Sequence, residues 1–112
     1  MKLYGIKTCG SVKKAIKFFK ENSIDFEFKD FRKEALKQEK INSWLEKVSI
    51  DKLFNNKGTK YRTLKLKDLN LNDDEKATWL AKENMLIKRP VIEYKNKVIV
   101  AFNEEEYKEL FL

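Results

Sequence analysis

Lys2-Leu3-Tyr4-Gly5-Ile6-Lys7-Thr8-Cys9-Gly10-Ser11-Val12-Lys13-Lys14-Ala15-Ile16-Lys17-Phe18-Phe19 changes its hydrophobic period partway along, and that change decides the fold. Lys2 to Ile6 alternates apolar and polar residues in short steps and runs into Lys7-Thr8-Cys9-Gly10-Ser11, a pattern that predicts a strand entering a tight loop. Beyond it Val12, Ala15, Ile16 and Phe19 recur at i, i+3, i+4 and i+7, with Lys13, Lys14, Lys17 and Lys20 largely on the other side. This spacing predicts an amphipathic helix ending near Asn22, with Cys9 just ahead of its first turn. Ile24, Phe26 and Phe28 then alternate with Asp25, Glu27 and Lys29, the period of a second strand. A strand, a helix and a strand in this order form a right-handed crossover whose two strands are parallel.

Outward from this unit, the pattern from about Glu34 to Asn84 is helical. Leu36, Ile41, Trp44, Leu45 and Val48 mark one segment, and Ile50, Leu53 and Phe54 a short second one. Asn55-Asn56-Lys57-Gly58 breaks the pattern, Thr59 is read as the cap of a turn carrying Tyr61 and Leu64, and Asn72 with Glu75 forms a variant capping box ahead of Ala77, Leu80 and Ala81. Trp44 and Trp79 are expected in the core. The lone proline, Pro90, is expected to end helical structure, after which Val91 to Tyr94 and Val98 to Val100 flank Lys95-Asn96-Lys97 as a hairpin. Asn103 before Glu104, Glu105 and Glu106 starts a last helix whose apolar face holds Tyr107, Leu110 and Phe111. The order implies an α/β fold with a mixed four-stranded sheet and an all-helical insertion at about 34–86, within a single domain over 1–112.

Composition narrows the function. A chain of 112 residues, 42% apolar with eight Phe and two Trp, can bury one core, and its 38% of charged residues run along the whole length and form no tail. The opening MKLYGIKTCG shows no apolar segment behind a basic start, and no stretch approaches the roughly 20 apolar residues that cross a bilayer, so a cytoplasmic location without membrane association is expected. One cysteine and no histidine exclude an intramolecular disulfide, an N/S zinc site, and Cys-His or Ser-His-Asp catalysis. The net charge of +7 would attract anionic ligands or acidic protein surfaces. Most of the basic residues alternate with acidic and apolar ones, and no zinc-finger, RNP-like or basic-heptad pattern is present, so direct nucleic-acid binding is not expected. The chain is expected to be monomeric, with no metal and no tightly bound cofactor.

Any nucleophile must therefore owe its activation to cations, hydrogen bonds or a helix terminus. Cys9 has that position: a helix start favours a thiolate through its unpaired N–H groups and its dipole. Gly10 removes Cβ interference with an approaching ligand, Ser11 can cap the helix or donate to an anion, and Lys7 and Lys13 add positive charge. The competing reading treats Cys9 as an inert, buried apolar side chain of the loop.

Three segments carry a resemblance: Tyr4-Gly5-Ile6-Lys7-Thr8-Cys9-Gly10-Ser11-Val12-Lys13-Lys14-Ala15, Lys57-Gly58-Thr59-Lys60-Tyr61-Arg62, and Leu86-Ile87-Lys88-Arg89-Pro90-Val91. They resemble the landmark segments of the arsenate reductase (ArsC)/Spx/YffB-like family, most closely its YffB-like members. The resemblance implies a thioredoxin-like fold with a helical insertion, Cys9 and Arg89 as catalytic residues, and a cis peptide bond before Pro90 beside the cysteine. Arsenate reductases of this type use three arginines to hold the oxyanion, with glutathione and glutaredoxin as reductants. Only Arg89 carries over. The other two positions fall on Asn55 and Ala101, and each missing charge-assisted contact costs roughly 1.5–3 kcal/mol, so arsenate reduction ranks last among the implied activities. Spx regulators carry a C-x-x-C pair and bind the RNA polymerase α subunit. Valine at position 12 excludes that disulfide switch here but leaves a Spx-like adaptor as the alternative function. The YffB-like reading is a monothiol oxidoreductase: Cys9 attacks a disulfide or other oxidised or oxyanion substrate, and a low-molecular-weight thiol resolves the adduct. Glutathione fits as that co-substrate, its carboxylates meeting Lys57, Arg89 and the loop amides beside Pro90, although another small thiol satisfies the same chemistry.

Overall fold

The computed structural model describes all 112 residues. Strands β1 (Lys2–Gly5), β2 (Glu27–Asp30), β3 (Val91–Tyr94) and β4 (Lys97–Val100) form one sheet in the order β2-β1-β3-β4. β1 and β2 are parallel, with Leu3 opposite Phe28, while β1–β3 and β3–β4 are antiparallel, with Tyr4 opposite Val91 and Val91 opposite Val100. The helices are α1 (Gly10–Glu21), α2 (Gln38–Leu45), α3 (Ile50–Leu53), α4 (Thr59–Thr63), α5 (Asp73–Lys82) and α6 (Glu104–Phe111), with short 3-10 turns at Leu66–Leu69 and Asn84–Leu86. The chain gathers into two compact units, Met1–Glu34 with Arg89–Leu112, and Ala35–Lys88. No helix is long and apolar enough to cross a membrane.

In the sheet unit, Leu3, Val12, Ala15, Phe19, Ile92 and Tyr107 are fully buried and form the core, with Phe18 and Ile99 at its margin. Phe18 takes the buried place that helical spacing gives to Ile16, which is only partly buried. Aromatic rings supply much of the contact: Phe19 stacks on Tyr107 with centroids 5.8 Å apart and meets the edge of Phe111 at 5.3 Å. Burying one such ring contributes roughly 1.5–3 kcal/mol, which makes α6 an integral part of this core. Asn103 caps α6 by accepting from the Glu106 amide at 2.9 Å, as its sequence predicts.

In the helical unit, Ile41, Trp44, Leu53, Leu66, Leu80, Leu86 and Ile87 are all at most 1% exposed. The capping box at Asn72 and Glu75 is present in both directions, at 2.8 and 3.0 Å. Trp79 is only half-buried, with the Lys82 ammonium 4.8 Å from its ring, which corrects its expected place in the core. Gly58, not Thr59, caps α4.

Two other boundaries differ from expectation. β2 begins at Glu27 because Ser23 adopts φ 54° and the Ile24 amide turns back to the Phe19 carbonyl at 2.8 Å, which uses the first alternating residues to close α1. The hairpin loop is Lys95-Asn96 alone, since Lys97 pairs with Tyr94. Helical structure ends at Leu86, in agreement with an insertion ending at about 86, and the peptide bond between Arg89 and Pro90 is cis.

Gly5 permits a close approach. A Cβ built on it would lie 2.6 Å from Val12 Cγ2, and Val12 is fully buried and branched, with no rotamer room to retreat. Gly5→Ala is expected to lower unfolding free energy by about 1–3 kcal/mol in urea titration. A second test concerns Tyr107, whose hydroxyl donates to the Ala101 carbonyl at 2.9 Å; burial, and then the Glu106 charge, raise its pKa well above the usual tyrosine value. The unfolded chain therefore loses this proton first, so the contribution is intact below about pH 10 and declines as pH rises beyond it. Tyr107→Phe should remove that part of the alkaline decline and lower stability at neutral pH by about 1–3 kcal/mol, because the Ala101 carbonyl loses its donor.

Candidate active site

Four residues separate the end of β1 from the start of α1, and they turn tightly: the Cys9 amide donates to the Ile6 carbonyl at 3.3 Å. Cys9 occupies the N-cap position with extended backbone (φ −78°, ψ 127°), and its carbonyl accepts the first helical bond from the Lys13 amide at 3.0 Å. Its side chain makes no capping hydrogen bond. The first-turn amides of an α-helix have no intrahelical acceptor, and α1 has no acidic residue in its first turn, so this end of the helix is open to an anion. Ser11 was a candidate cap, but it lies inside the first turn and is exposed.

Cys9 is partly buried, packed against the core on one side and open on the other, and it is the only thiol in the chain. Lys7 and Gly10 are exposed beside it in sequence. A Cβ built on Gly10 meets nothing within 4 Å, so the packing of the protein itself does not require glycine there.

Arg89 and Pro90 reach the same end of the sheet through strand register. β1 ends at Gly5 where antiparallel β3 begins, and Tyr4 faces Val91, so the loop leading to Cys9 and the Arg89-Pro90 step leave the sheet at a common edge. Pro90 is buried, and its carbonyl accepts from the Ala101 amide at 2.8 Å. Arg89 is half-exposed. β2 leaves from this end too, the Phe31 amide donating to the Gly5 carbonyl at 3.2 Å.

The structure thus gathers Lys7, Cys9, Gly10, Ser11, Arg89 and Pro90 at one end of the sheet. Lys57 belongs to the helical unit, where it is exposed; its amide donates to Asn55 Oδ1 at 3.1 Å and its carbonyl accepts from Arg62 Nη1 at 3.2 Å. Ala101 was not recognised in the sequence as a structural element of this end. Its φ of 69° lies in the left-handed region, and an alanine gives no sequence signal of that conformation. No three His, Cys, Asp or Glu side chains come together in a metal-binding group.

The model of the ArsC family matches residues 4–110. An uncharacterised protein of Haemophilus influenzae is 34% identical over 110 residues, spanning 97% of this chain and 96% of its own. Among solved structures, a YFFB protein superposes with a TM-score of 0.92 at 26% identity, covering 99% of this chain and 98% of that one. An arsenate reductase (ArsC) related protein from Brucella melitensis gives 0.78 at 32% identity, covering 98% and 92%.

The open space at Gly10 gives a direct test of whether this helix end accepts an anion. Gly10→Ala should leave the urea midpoint of the protein unchanged or slightly raised, since alanine is less flexible in the unfolded chain. The same variant should slow the reaction of Cys9 with an anionic disulfide in stopped-flow absorbance, because its methyl group occupies the approach to the amides.

Proposed function

This chain belongs to the ArsC family and has its thioredoxin-like architecture, and from that premise we propose that it is a monothiol oxidoreductase working through Cys9. The observation that carries this reading is a partly open cysteine at the uncapped start of α1, in a chain with no second thiol. The Cys9 thiolate attacks one sulfur of a disulfide, forms the Cys9–S–S–R mixed disulfide, and expels the other half as a thiolate, which takes a proton from water. A second, external thiol gives up its proton and attacks the adduct, regenerating Cys9 and leaving with R as a new disulfide. Each exchange conserves disulfides, and two equivalents of the small thiol supply the two electrons that reduce a substrate disulfide fully.

Glutathione suits the external role. One of its carboxylates can pair with the Arg89 guanidinium and another can accept from the first-turn amides of α1. An oxyanion substrate would find only one of the three arginines that the resemblance implies for arsenate, which favours disulfide exchange over arsenate reduction as the activity.

Intact-mass measurement after exposure to oxidised glutathione should show addition of one glutathionyl group, and none on Cys9→Ser. An unmodified native protein whose thiol still reacts with a small uncharged alkylating agent would reject the proposal. Arg89→Ala should raise the glutathione concentration needed for half-maximal resolution by roughly tenfold or more, the worth of one charge-assisted contact. Resolution by uncharged 2-mercaptoethanol should change little in the same variant.

A further inference from the structure

Within the helical unit, Lys57, Tyr61, Arg62, Lys65, Lys67 and Asp68 line a concavity of about 450 Å³. Four cations face one carboxylate there. None of the four forms an ion pair with an acid, whereas other lysines of this unit do, Lys76 with Asp51 at 3.4 Å and Lys60 with Glu83 at 3.8 Å. Unneutralised like charges held this close repel one another, and an incoming anion relieves that repulsion.

The same stretch exposes apolar surface. Leu64 and Leu69 are 37% and 54% exposed, and the only other large apolar side chain so exposed is the last residue, Leu112. Lys65 and Asn70, at either end of the 3-10 turn Leu66–Leu69, both adopt left-handed backbone, with φ 56° and 48°. This backbone is unfavourable for lysine, whereas asparagine adopts it readily. The two residues bracket a turn that buries Leu66 and leaves Leu69 in water.

An inorganic anion or a nucleic-acid backbone would satisfy the cations and leave both leucines exposed. A partner carrying carboxylates and aliphatic side chains on one segment satisfies both at once. We propose that the Asn56–Asn70 surface docks an acidic, leucine-bearing segment of a partner protein. This goes beyond the thiol chemistry and does not depend on it, since Lys65, Lys67, Leu64 and Leu69 take no part in the exchange.

The test uses the full chain and a fluorescein-labelled peptide of repeating Glu-Glu-Leu-Leu, followed by anisotropy at low and physiological salt, with amide chemical-shift mapping. Saturable binding with shifts concentrated in 56–70 is expected. Lys65→Glu with Lys67→Glu should weaken it by about tenfold or more, and Leu64→Ser with Leu69→Ser by a similar factor, the scale of one leucine-sized burial. The same charge change on α1, Lys17→Glu with Lys20→Glu, should alter affinity by less than about threefold, since neither lysine belongs to the 56–70 surface and exposed charges are screened by salt. Absence of binding at low salt overturns the proposal. So does equal affinity for a peptide with serine in place of leucine, an equal loss in the α1 variant, or full displacement by inorganic phosphate or oligothymidine at concentrations comparable with the peptide.

Discussion

The contact between Gly5 and Val12 sets the position of the first turn of α1, and with it Cys9, at one end of the sheet. A strand and the helix that follows it ordinarily keep side chains between them, but here the helix rests on bare backbone, with Val12 Cγ2 where a Cβ at position 5 would reach to 2.6 Å. Val12 and Ala15 are fully buried on that face, so the start of α1 is held by packing on its first turn and not only by the connecting loop. Cys9 is one residue outside that turn. Any change in the separation of β1 and α1 would move its sulfur relative to the edge where Arg89 and Pro90 emerge.

The opposite side of that edge is held by a balance of small terms. Ala101 in the left-handed region costs roughly 1–2 kcal/mol relative to ordinary backbone. Both of its polar backbone groups are satisfied, the amide by the Pro90 carbonyl at 2.8 Å and the carbonyl by the Tyr107 hydroxyl at 2.9 Å. Two such bonds contribute about 0.5–1.5 kcal/mol each, enough to offset the strain. Ala101, three residues before α6, is thereby tied both to the cis proline step and to the aromatic core. Tyr107 also stacks on Phe19 of α1, so the two ends of the chain that flank the site share one packed ring.

Much of this was legible in the sequence because it rests on periodicity and on residue types with few alternatives. The change of period at Cys9, the capping residues Asn72 and Asn103, and the single proline each identify their own structural role. What escaped detection depends on tertiary geometry. Ser23 and Ala101 take left-handed backbone with no glycine to signal it, and the first displaces the start of β2 by turning the Ile24 amide back to the Phe19 carbonyl at the end of α1. Trp79 reads as core by spacing but lies half-exposed under Lys82. Arg62, Lys65 and Lys67 look like ordinary surface charge along the chain, because only the fold of the 3-10 turn brings them around one concavity.

The absence of a second thiol is also a packing feature. The position where a C-x-x-C pair would place its other cysteine holds a fully buried, branched valine, and that valine fills the space above Gly5 that a smaller residue would leave open. Gly5 and Val12 are thus a matched pair in volume, and replacing valine with a thiol would remove a methyl group from the side chain that packs over Gly5. Under the proposed exchange, a mixed disulfide on Cys9 would have no internal competitor and would persist until an external thiol reached the sulfur. The lifetime of that state would then depend on the concentration and charge of the thiol, and on how far the uncapped amides of α1 and the half-exposed Arg89 favoured its approach.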